Sequence, residues 1–262
     1  MKIYNQFLNV GKSKIAVQLL QQSKTLKEEN TLVMLHEGLG SIEMWKDWPE
    51  RLAKKIKLNL VVYSRLGMGK SSQMKKKKTI NFLHEEALYY LPKIIKNFCQ
   101  TDPILLGHSD GASISLIYAG NQLPCKGIIL EAPHVIVEKI TLKEIKKIKI
   151  NWESNNLEKK LMKYHENPKN AFFSWCDIWL SKKFVDWNIT NLLPSITAPI
   201  LVIQGKEDQY GTLKQVNLIK KNCLTKVDTL ILNDCRHSPH LEYSDKVIEK
   251  VNKFIKNILS ND

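Results

Sequence analysis

The sequence predicts an α/β fold in which helices cover both faces of a mainly parallel sheet. Short, continuously apolar runs alternate along the chain with longer segments of helical periodicity. Strands that are apolar throughout are typical of parallel sheets buried between two helical layers. The chain has 262 residues, 43% hydrophobic and 25% charged, which is enough to bury a core without disulfides or a metal.

The predicted elements follow one another in that alternating order. The strands are expected at 15–20, 31–35, 60–63, 104–106, 127–130, 200–203 and 229–232. The helices are expected at 48–55, 80–98, 112–121, 215–221 and 247–259. The first strand alternates apolar and polar residues, which predicts an antiparallel edge strand, and the others are continuously apolar. Reactive groups in such a sheet follow the carboxyl ends of the strands.

The residues around Ser109 are typical of a nucleophile elbow. A short apolar run precedes Gly107-His108-Ser109-Asp110-Gly111, and a segment of helical composition follows. A serine at such an apex is forced out of the sheet with strained backbone angles, so Gly107 and Gly111 must lack a Cβ. Its hydroxyl stands at a helix N-terminus, where backbone N–H groups and the helix dipole favour a developing negative charge. We predict that Ser109 is the nucleophile.

A serine hydroxyl needs a general base, and an imidazole oriented by a carboxylate is the usual one. In this architecture the acid and then the histidine follow the serine in chain order, each after a late strand. Asp208 comes directly after the strand at 200–203, in a Gly-x-x-Asp pattern, and His237 comes after the strand at 229–232. We predict Asp208 as the acid and His237 as the base.

Three other residues compete for these two roles. Glu207 and Asp234 are the alternative carboxylates, and His240 is the alternative imidazole. Asp208 is preferred over Glu207 because it sits further out in its loop. His240 belongs to the beginning of the next turn, so we interpret it as a surface histidine.

The tetrahedral intermediate needs hydrogen-bond donors for its oxyanion, each worth about 3 to 4 kcal/mol. The backbone N–H of Asp110, the residue after the nucleophile, is expected to be one of them. The other is expected from the loop 36–41, whose two glycines let the backbone approach closely. Gly38 is the first choice for this donor, and Leu39 is the second.

Residues 135–194 interrupt the alternation of strands and helices. They contain helical segments rich in aromatic residues, including four of the six tryptophans, and no convincing strand. We predict that they form a helical cap (lid), and that residues 1–134 and 195–262 form the core domain. Most of these aromatics should pack the cap itself, while a few should line an apolar pocket over Ser109.

Charge and cysteine content limit the possible partners. The net charge is +14, but the excess is nearly all dispersed lysine, which favours a solvated surface over a nucleic-acid site. The one run of consecutive lysines, 75–78, is expected in a flexible loop. Five widely spaced cysteines without a C-x-x-C pair suggest neither a zinc site nor a disulfide framework. No long apolar segment is present, so we expect a soluble cytoplasmic protein with no membrane partner. The sequence is also compatible with a homo-oligomer.

These landmarks together resemble the α/β-hydrolase superfamily, most closely its capped esterase branch near the carbon–carbon hydrolases of meta-cleavage pathways. The segments that carry the resemblance cover nearly the whole chain in the family's order: 36–41, 63–71, 107–111, 205–208 and His237. The resemblance implies an eight-stranded sheet, a helical cap inserted after strand 6, a Ser-Asp-His triad, and no metal or cofactor.

The chain departs from the family pattern at three places. His36-Glu37-Gly38 stands where the family usually has His-Gly-x, and Ser64-Arg65-Leu66-Gly67 stands where it usually has Asp-x-Arg-Gly. Glu37 either points inward, bonding Arg65 or disfavouring anionic substrates, or lies on the surface. Asp110 is also unusual after the nucleophile, and its side chain is expected to cap free N–H groups of the following helix.

The leading functional interpretation is a serine hydrolase that cleaves a carboxylic ester, or a related acyl bond, of a small-molecule substrate. A second interpretation is hydrolysis of a carbon–carbon bond in a dienone-type substrate by the same three residues. A third is a non-catalytic receptor built on the same fold. Haloalkane dehalogenation is disfavoured because that chemistry needs a carboxylate at position 109.

Overall fold

A computed structural model describes residues 1–22, 30–74 and 77–260 of the chain. Eight strands form one sheet in the order β1-β2-β4-β3-β5-β6-β7-β8. Their bounds are β1 Lys2–Val10, β2 Ser13–Gln21, β3 Thr31–Leu35, β4 Asn59–Tyr63, β5 Ile104–His108, β6 Gly127–Glu131, β7 Ile200–Gly205 and β8 Val227–Leu232. β2 is antiparallel to β1 and β4, and the five remaining pairings are parallel. The prediction of a mainly parallel, eight-stranded sheet is confirmed.

Helices cover both faces of this sheet. Their bounds are α1 Trp48–Ile56, α2 Phe82–Glu85, α3 Leu91–Phe98, α4 Asp110–Gly120, α5 Lys139–Ile150, α6 Leu157–Leu161, α7 Pro168–Trp179, α8 Leu213–Asn222, α9 Pro239–Glu242 and α10 Ser244–Leu259. Alternate strand residues point to opposite faces, so each buried strand contributes to two cores. In β4, Leu60 and Val62 pack with α1 and α10, whereas Val61 and Tyr63 pack with α2, α3, α4 and α8.

The edge of the sheet differs from the prediction. β2 was expected as the edge strand, but it is paired on both sides, and β1 forms the edge instead. Lys2 pairs with Gln21 and Val10 with Ser13, so the two strands make a long hairpin. The side chains of β1 are mostly exposed, and Phe7 is 54% exposed. A strand without a buried face lacks the apolar pattern from which strands are predicted.

The helix predicted at 80–98 consists of three parts. α2 is followed by one π-helical stretch, Glu86–Tyr90, and then by α3. Pro92, in the first turn of α3, has no backbone N–H to donate, so the regular hydrogen-bond ladder is interrupted there.

The segment 135–194, here called the β6–β7 insertion, is described throughout and contains no strand. It consists of α5, α6, α7 and most of a 3₁₀ helix at Thr190–Ser195, with one isolated bridge between Ile136 and Asn188. His165 joins the insertion to two core loops. Its Nδ1 accepts a hydrogen bond from the N–H of Gly69 (2.9 Å), and its Nε2 donates to the carbonyl oxygen of Leu39 (3.1 Å).

The lysine run at 75–78 and the possibility of membrane-spanning helices were also considered from the sequence. Of the lysine run, Lys75 and Lys76 lie outside the described residues. The helices of the described ranges are all too short or too polar to cross a membrane.

Candidate active site

Ser109 occupies the turn between β5 and α4. Its backbone has φ 54° and ψ −113°, a strained combination for a residue with a side chain. A Cβ at Gly107 would collide with the backbone of Gly111, and a Cβ at Gly111 would collide with the carbonyl of Leu35. Both flanking glycines are therefore required by close backbone approach. The turn places Ser109 at the N-terminus of α4, where it is 6% exposed.

The structure brings Asp208 and His237 together. Nδ1 of His237 lies 2.9 Å from both carboxylate oxygens of Asp208. The carboxylate also accepts hydrogen bonds from Nε2 of Gln204 (2.8 Å) and from the backbone N–H groups of Tyr210 (2.8 Å) and Gly211 (3.2 Å).

These contacts keep Asp208 ionised and orient the ring of His237. Burial would raise the pKa of Asp208, but the adjacent His237 and the N–H of Tyr210 lower that pKa to about 2. An ionised carboxylate only accepts hydrogen bonds, so Nδ1 of His237 carries the proton. The Nε2 atom is the ring nitrogen that does not contact Asp208, and it can act as a base.

The competing residues lie elsewhere. Glu207 and Asp234 are exposed. His240 is buried, and its Nδ1 lies 2.8 Å from Oε2 of Glu131. The interpretation of His240 as a surface histidine is therefore wrong. The ring of His240 packs against that of Trp45 in the core beneath the site, with 4.7 Å between the ring centroids.

The peptide between Glu37 and Gly38 is held in one orientation. Its carbonyl oxygen accepts hydrogen bonds from Nδ1 of His36 (2.7 Å), Nη2 of Arg65 (2.6 Å) and the N–H of Gly40 (3.0 Å). Burial lowers the pKa of His36, so its ring is neutral, with Nδ1 donating and Nε2 accepting from the N–H of Arg65 (2.9 Å). In a trans peptide the N–H of Gly38 points away from that carbonyl.

The two predicted oxyanion donors have no other partner in the described part of the chain. Neither the N–H of Gly38 nor that of Asp110 donates to a described residue. Asp110 begins α4, where the first N–H groups have no carbonyl within the helix. Gly38 and Asp110 both line the cavity that contains Ser109.

The side chain of Asp110 does not cap α4, so that expectation was wrong. Its Oδ1 accepts a hydrogen bond from Nε1 of Trp179 (3.2 Å), and its Oδ2 lies 3.5 Å from Nη1 of Arg65. The N-terminus of α4 has no side-chain cap, because these longer-range partners hold the carboxylate away from the first turn.

A cavity of about 220 Å³ joins the predicted residues. Ser109, His237, Gly38, Asp110 and the second-choice donor Leu39 all line it, while Asp208 lies behind His237. Among the described residues, Oγ of Ser109 has no hydrogen-bond partner, so the bond to His237 is not formed in this structure. Such bonds are often long before a substrate is bound.

Several residues that line the cavity could not be assigned to it from the sequence. Trp175 and Trp179 of α7 lie on the cavity wall, and the indole of Trp175 rests against Gly38. The ring centroid of Tyr210 lies 4.7 Å from that of His237, and the ring centroid of His134 lies 6.0 Å from that of His237. Tyr210 could have been suspected from its place two residues after Asp208. His134 comes shortly after β6, which was the available signal for it.

Glu37 faces inward. Its carboxylate lies against Gly40, the residue lines the cavity, and its side chain is 22% exposed. It pairs with His108 and not with Arg65, which instead binds the Glu37 carbonyl. Burial opposes ionisation of Glu37, but His108 lowers the pKa of the carboxyl well below its usual range. The cavity wall therefore carries the ionised Glu37 paired with His108, and none of the described residues that line it is Lys or Arg.

The described ranges contain no recognisable metal-binding cluster. No group of three or more His, Cys, Asp or Glu side chains is arranged there to hold an ion.

Comparisons with known proteins agree with this architecture. Residues 30–159 match the family model of the α/β-hydrolase fold. A proline iminopeptidase of Saccharolobus solfataricus is 25% identical over an alignment of 272 positions, covering 87% of this chain and 86% of the relative.

Two solved structures share the fold at low sequence identity. One comes from work on carboxylesterases of the ammonia-oxidizing thaumarchaeon Nitrososphaera gargenis (TM-score 0.79, 14% identity, 98% of this chain and 100% of that one covered). The other is the proline iminopeptidase of Mycobacterium smegmatis (TM-score 0.73, 15% identity, 99% and 100% covered). With its sheet order and helical layers, the chain belongs to the α/β-hydrolase superfamily.

Proposed function

We propose that this protein is a carboxylesterase-like serine hydrolase, which cleaves an ester or related acyl bond of a small, partly apolar substrate through an acyl-enzyme. The observation that carries the proposal is the content of one cavity. It contains the Ser109 hydroxyl, the ring of His237 with Asp208 behind it, and two backbone N–H groups that have no partner among the described residues. This set supplies a nucleophile, a base and oxyanion donors.

In the proposed mechanism, Nε2 of His237 takes the proton of Ser109 as Oγ attacks the carbonyl carbon. The N–H groups of Gly38 and Asp110 bind the oxyanion, and His237 then protonates the leaving alcohol. Water, activated by the same imidazole, hydrolyses the acyl-enzyme. Asp208 keeps the imidazole in the tautomer that this sequence of steps requires.

The β6–β7 insertion is proposed as the cap of this site. Ile145, Ile148, Trp175 and Trp179, all from the insertion, line the cavity and give it an apolar wall. A cavity of about 220 Å³ favours a short acyl group over a long lipid chain.

Carbon–carbon hydrolysis of a dienoate is less well supported. Such a substrate is anionic, whereas the carboxylate of Glu37 is the more exposed member of its pair with His108, and the described lining offers neither Lys nor Arg. A receptor role would leave the hydroxyl, the imidazole and the free N–H groups without a purpose.

Turnover of p-nitrophenyl butyrate tests the proposal. The wild type should release p-nitrophenol, and His237→Asn should reduce kcat by about 10⁴-fold or more. His84→Asn serves as control, because His84 does not line the cavity. Undiminished turnover in His237→Asn would contradict the proposed base.

A further inference from the structure

We propose that Arg65 is a positioning residue that holds both halves of the oxyanion hole. The inference rests on the proposed function and adds to it a residue that does not itself contact the reacting atoms. Arg65 follows β4, and its side chain is 4% exposed.

The guanidinium lies between the two donor segments. Its Nη2 donates to the carbonyl oxygen of Glu37 (2.6 Å), and its Nη1 lies 3.5 Å from Oδ2 of Asp110. Glu37 precedes the first proposed donor, Gly38, and Asp110 carries the second. One planar, always charged group thus contacts the peptide of one donor and the side chain of the other.

On the Gly38 side, the contact acts through the peptide plane. The carbonyl of Glu37 and the N–H of Gly38 belong to one trans peptide, so fixing the first fixes the direction of the second. A glycine follows this carbonyl, and little besides hydrogen bonding opposes rotation of the peptide. The backbone N–H of Arg65 also holds His36, the second side-chain donor to the same oxygen. Arg65 therefore supports this peptide directly and through His36.

On the Asp110 side, the contact is an ion pair between two buried groups. The Asp110 side chain is 1% exposed, and Trp179 donates to its other oxygen. Removing Arg65 would leave this buried carboxylate without its ion-pair partner, although the attraction of Lys78 would remain, and this loss favours rearrangement of the first turn of α4. That turn contains the N–H of the second donor.

The substitutions Arg65→Gln and Arg65→Lys test the proposal. Lysine keeps the charge but lacks the planar guanidinium group that reaches both the Glu37 carbonyl and the Asp110 carboxylate. Because the loss of one oxyanion donor costs about 10²- to 10³-fold in kcat, we expect Arg65→Gln to lower kcat about 10- to 100-fold, with KM changed less than about threefold. Arg65→Lys should recover only part of that loss.

A second readout separates positioning from general destabilisation. A trifluoromethyl ketone forms a tetrahedral adduct with an oxyanion, so its inhibition constant should rise by about the same factor by which kcat/KM falls. The control is Arg51→Gln, which removes a surface ion pair with Asp245 and should change neither quantity.

These experiments distinguish a failure of the inference about Arg65 from a failure of the proposed function. Wild-type kcat or unchanged ketone affinity in a folded Arg65→Gln protein would overturn the inference. If Arg65→Gln does not fold, full activity of Arg65→Lys would overturn it equally. If the wild type neither hydrolyses esters nor reacts with a fluorophosphonate, the proposed function itself fails.

Discussion

Oε2 of Glu37 lies 3.6 Å from Nδ1 of His108, so a carboxylate of the oxyanion loop and an imidazole of the elbow form an ion pair at the cavity wall. Nε2 of the same imidazole lies 2.7 Å from the carbonyl oxygen of His237. Burial would lower the pKa of His108, but Glu37 outweighs burial and raises it. His108 therefore links the three loops that carry the nucleophile, the base and the oxyanion donor.

Replacing Glu37 by glutamine should change both His108 and substrate preference. Without the carboxylate, burial dominates, so the pKa of His108 should fall, as measured by NMR titration of its ring. Glu37 is the more exposed member of its pair with His108, so an anionic substrate meets the carboxylate more directly than the imidazolium. The ratio of kcat/KM for a monosuccinate ester to that for a butyrate ester should therefore rise about 2- to 5-fold. Glu43→Gln is the matched control, because Glu43 pairs with Lys70 outside the cavity. An unchanged ratio would show that Glu37 does not disfavour anions.

Replacing Asp208 by asparagine should lower kcat about 10⁴-fold while the protein remains folded. The amide no longer selects the tautomer of His237 that has a free Nε2. Asp234→Asn is the control, since Asp234 is exposed. Steady-state ester hydrolysis measures both variants. If Asp234→Asn were the impaired protein, the assignment of the acid would be wrong.

Replacing Gly38 by alanine should impair the proposed oxyanion hole. The added Cβ would collide with the indole of Trp175, so either the peptide or α7 must shift. We expect kcat to fall about 10- to 100-fold. In a Trp175→Ala background the same change should cost much less, because the indole is absent. Equal losses in both backgrounds, measured by a double-mutant cycle, would contradict this contact.

The buried His134 should make the protein less stable in acid. Burial, and secondarily His237, lowers the pKa of His134 to about 3, whereas the unfolded chain takes up the proton near pH 6.5. The stabilisation from this group is therefore complete above about pH 6.5 and is lost as the pH falls toward 3. Urea unfolding at about pH 7.5 and pH 4.5 should show a decline about 2 kcal/mol smaller in His134→Gln than in the wild type. Parallel declines would contradict the low pKa.

Local patterns were sufficient to predict the central strands and the elbow. Strands such as β3 and β7 are buried on both faces, so continuous apolar runs identify them directly. The placement of Asp208 and His237 after two parallel strands follows from strand order, because carboxyl ends meet at one edge of the sheet. β1 lacks a buried face, and no periodicity could identify it.

Long-range pairs were not predictable from the sequence. His240 binds Glu131, which is 109 residues away, and Asp110 binds Trp179, which is 69 residues away. Local reasoning therefore assigned His240 to the surface and the Asp110 carboxylate to a helix cap. Both errors have one cause, since a polar side chain takes the partner that tertiary packing supplies when it is buried.

Covalent labelling by a fluorophosphonate, followed by mass spectrometry of the modified peptide, tests the central claim most directly. The account predicts one adduct on Ser109, lost in Ser109→Ala and retained in Ser113→Ala, because the Ser113 hydroxyl is committed to the carbonyl of His134. The absence of labelling in the folded wild type, or an adduct that persists in Ser109→Ala, would contradict it.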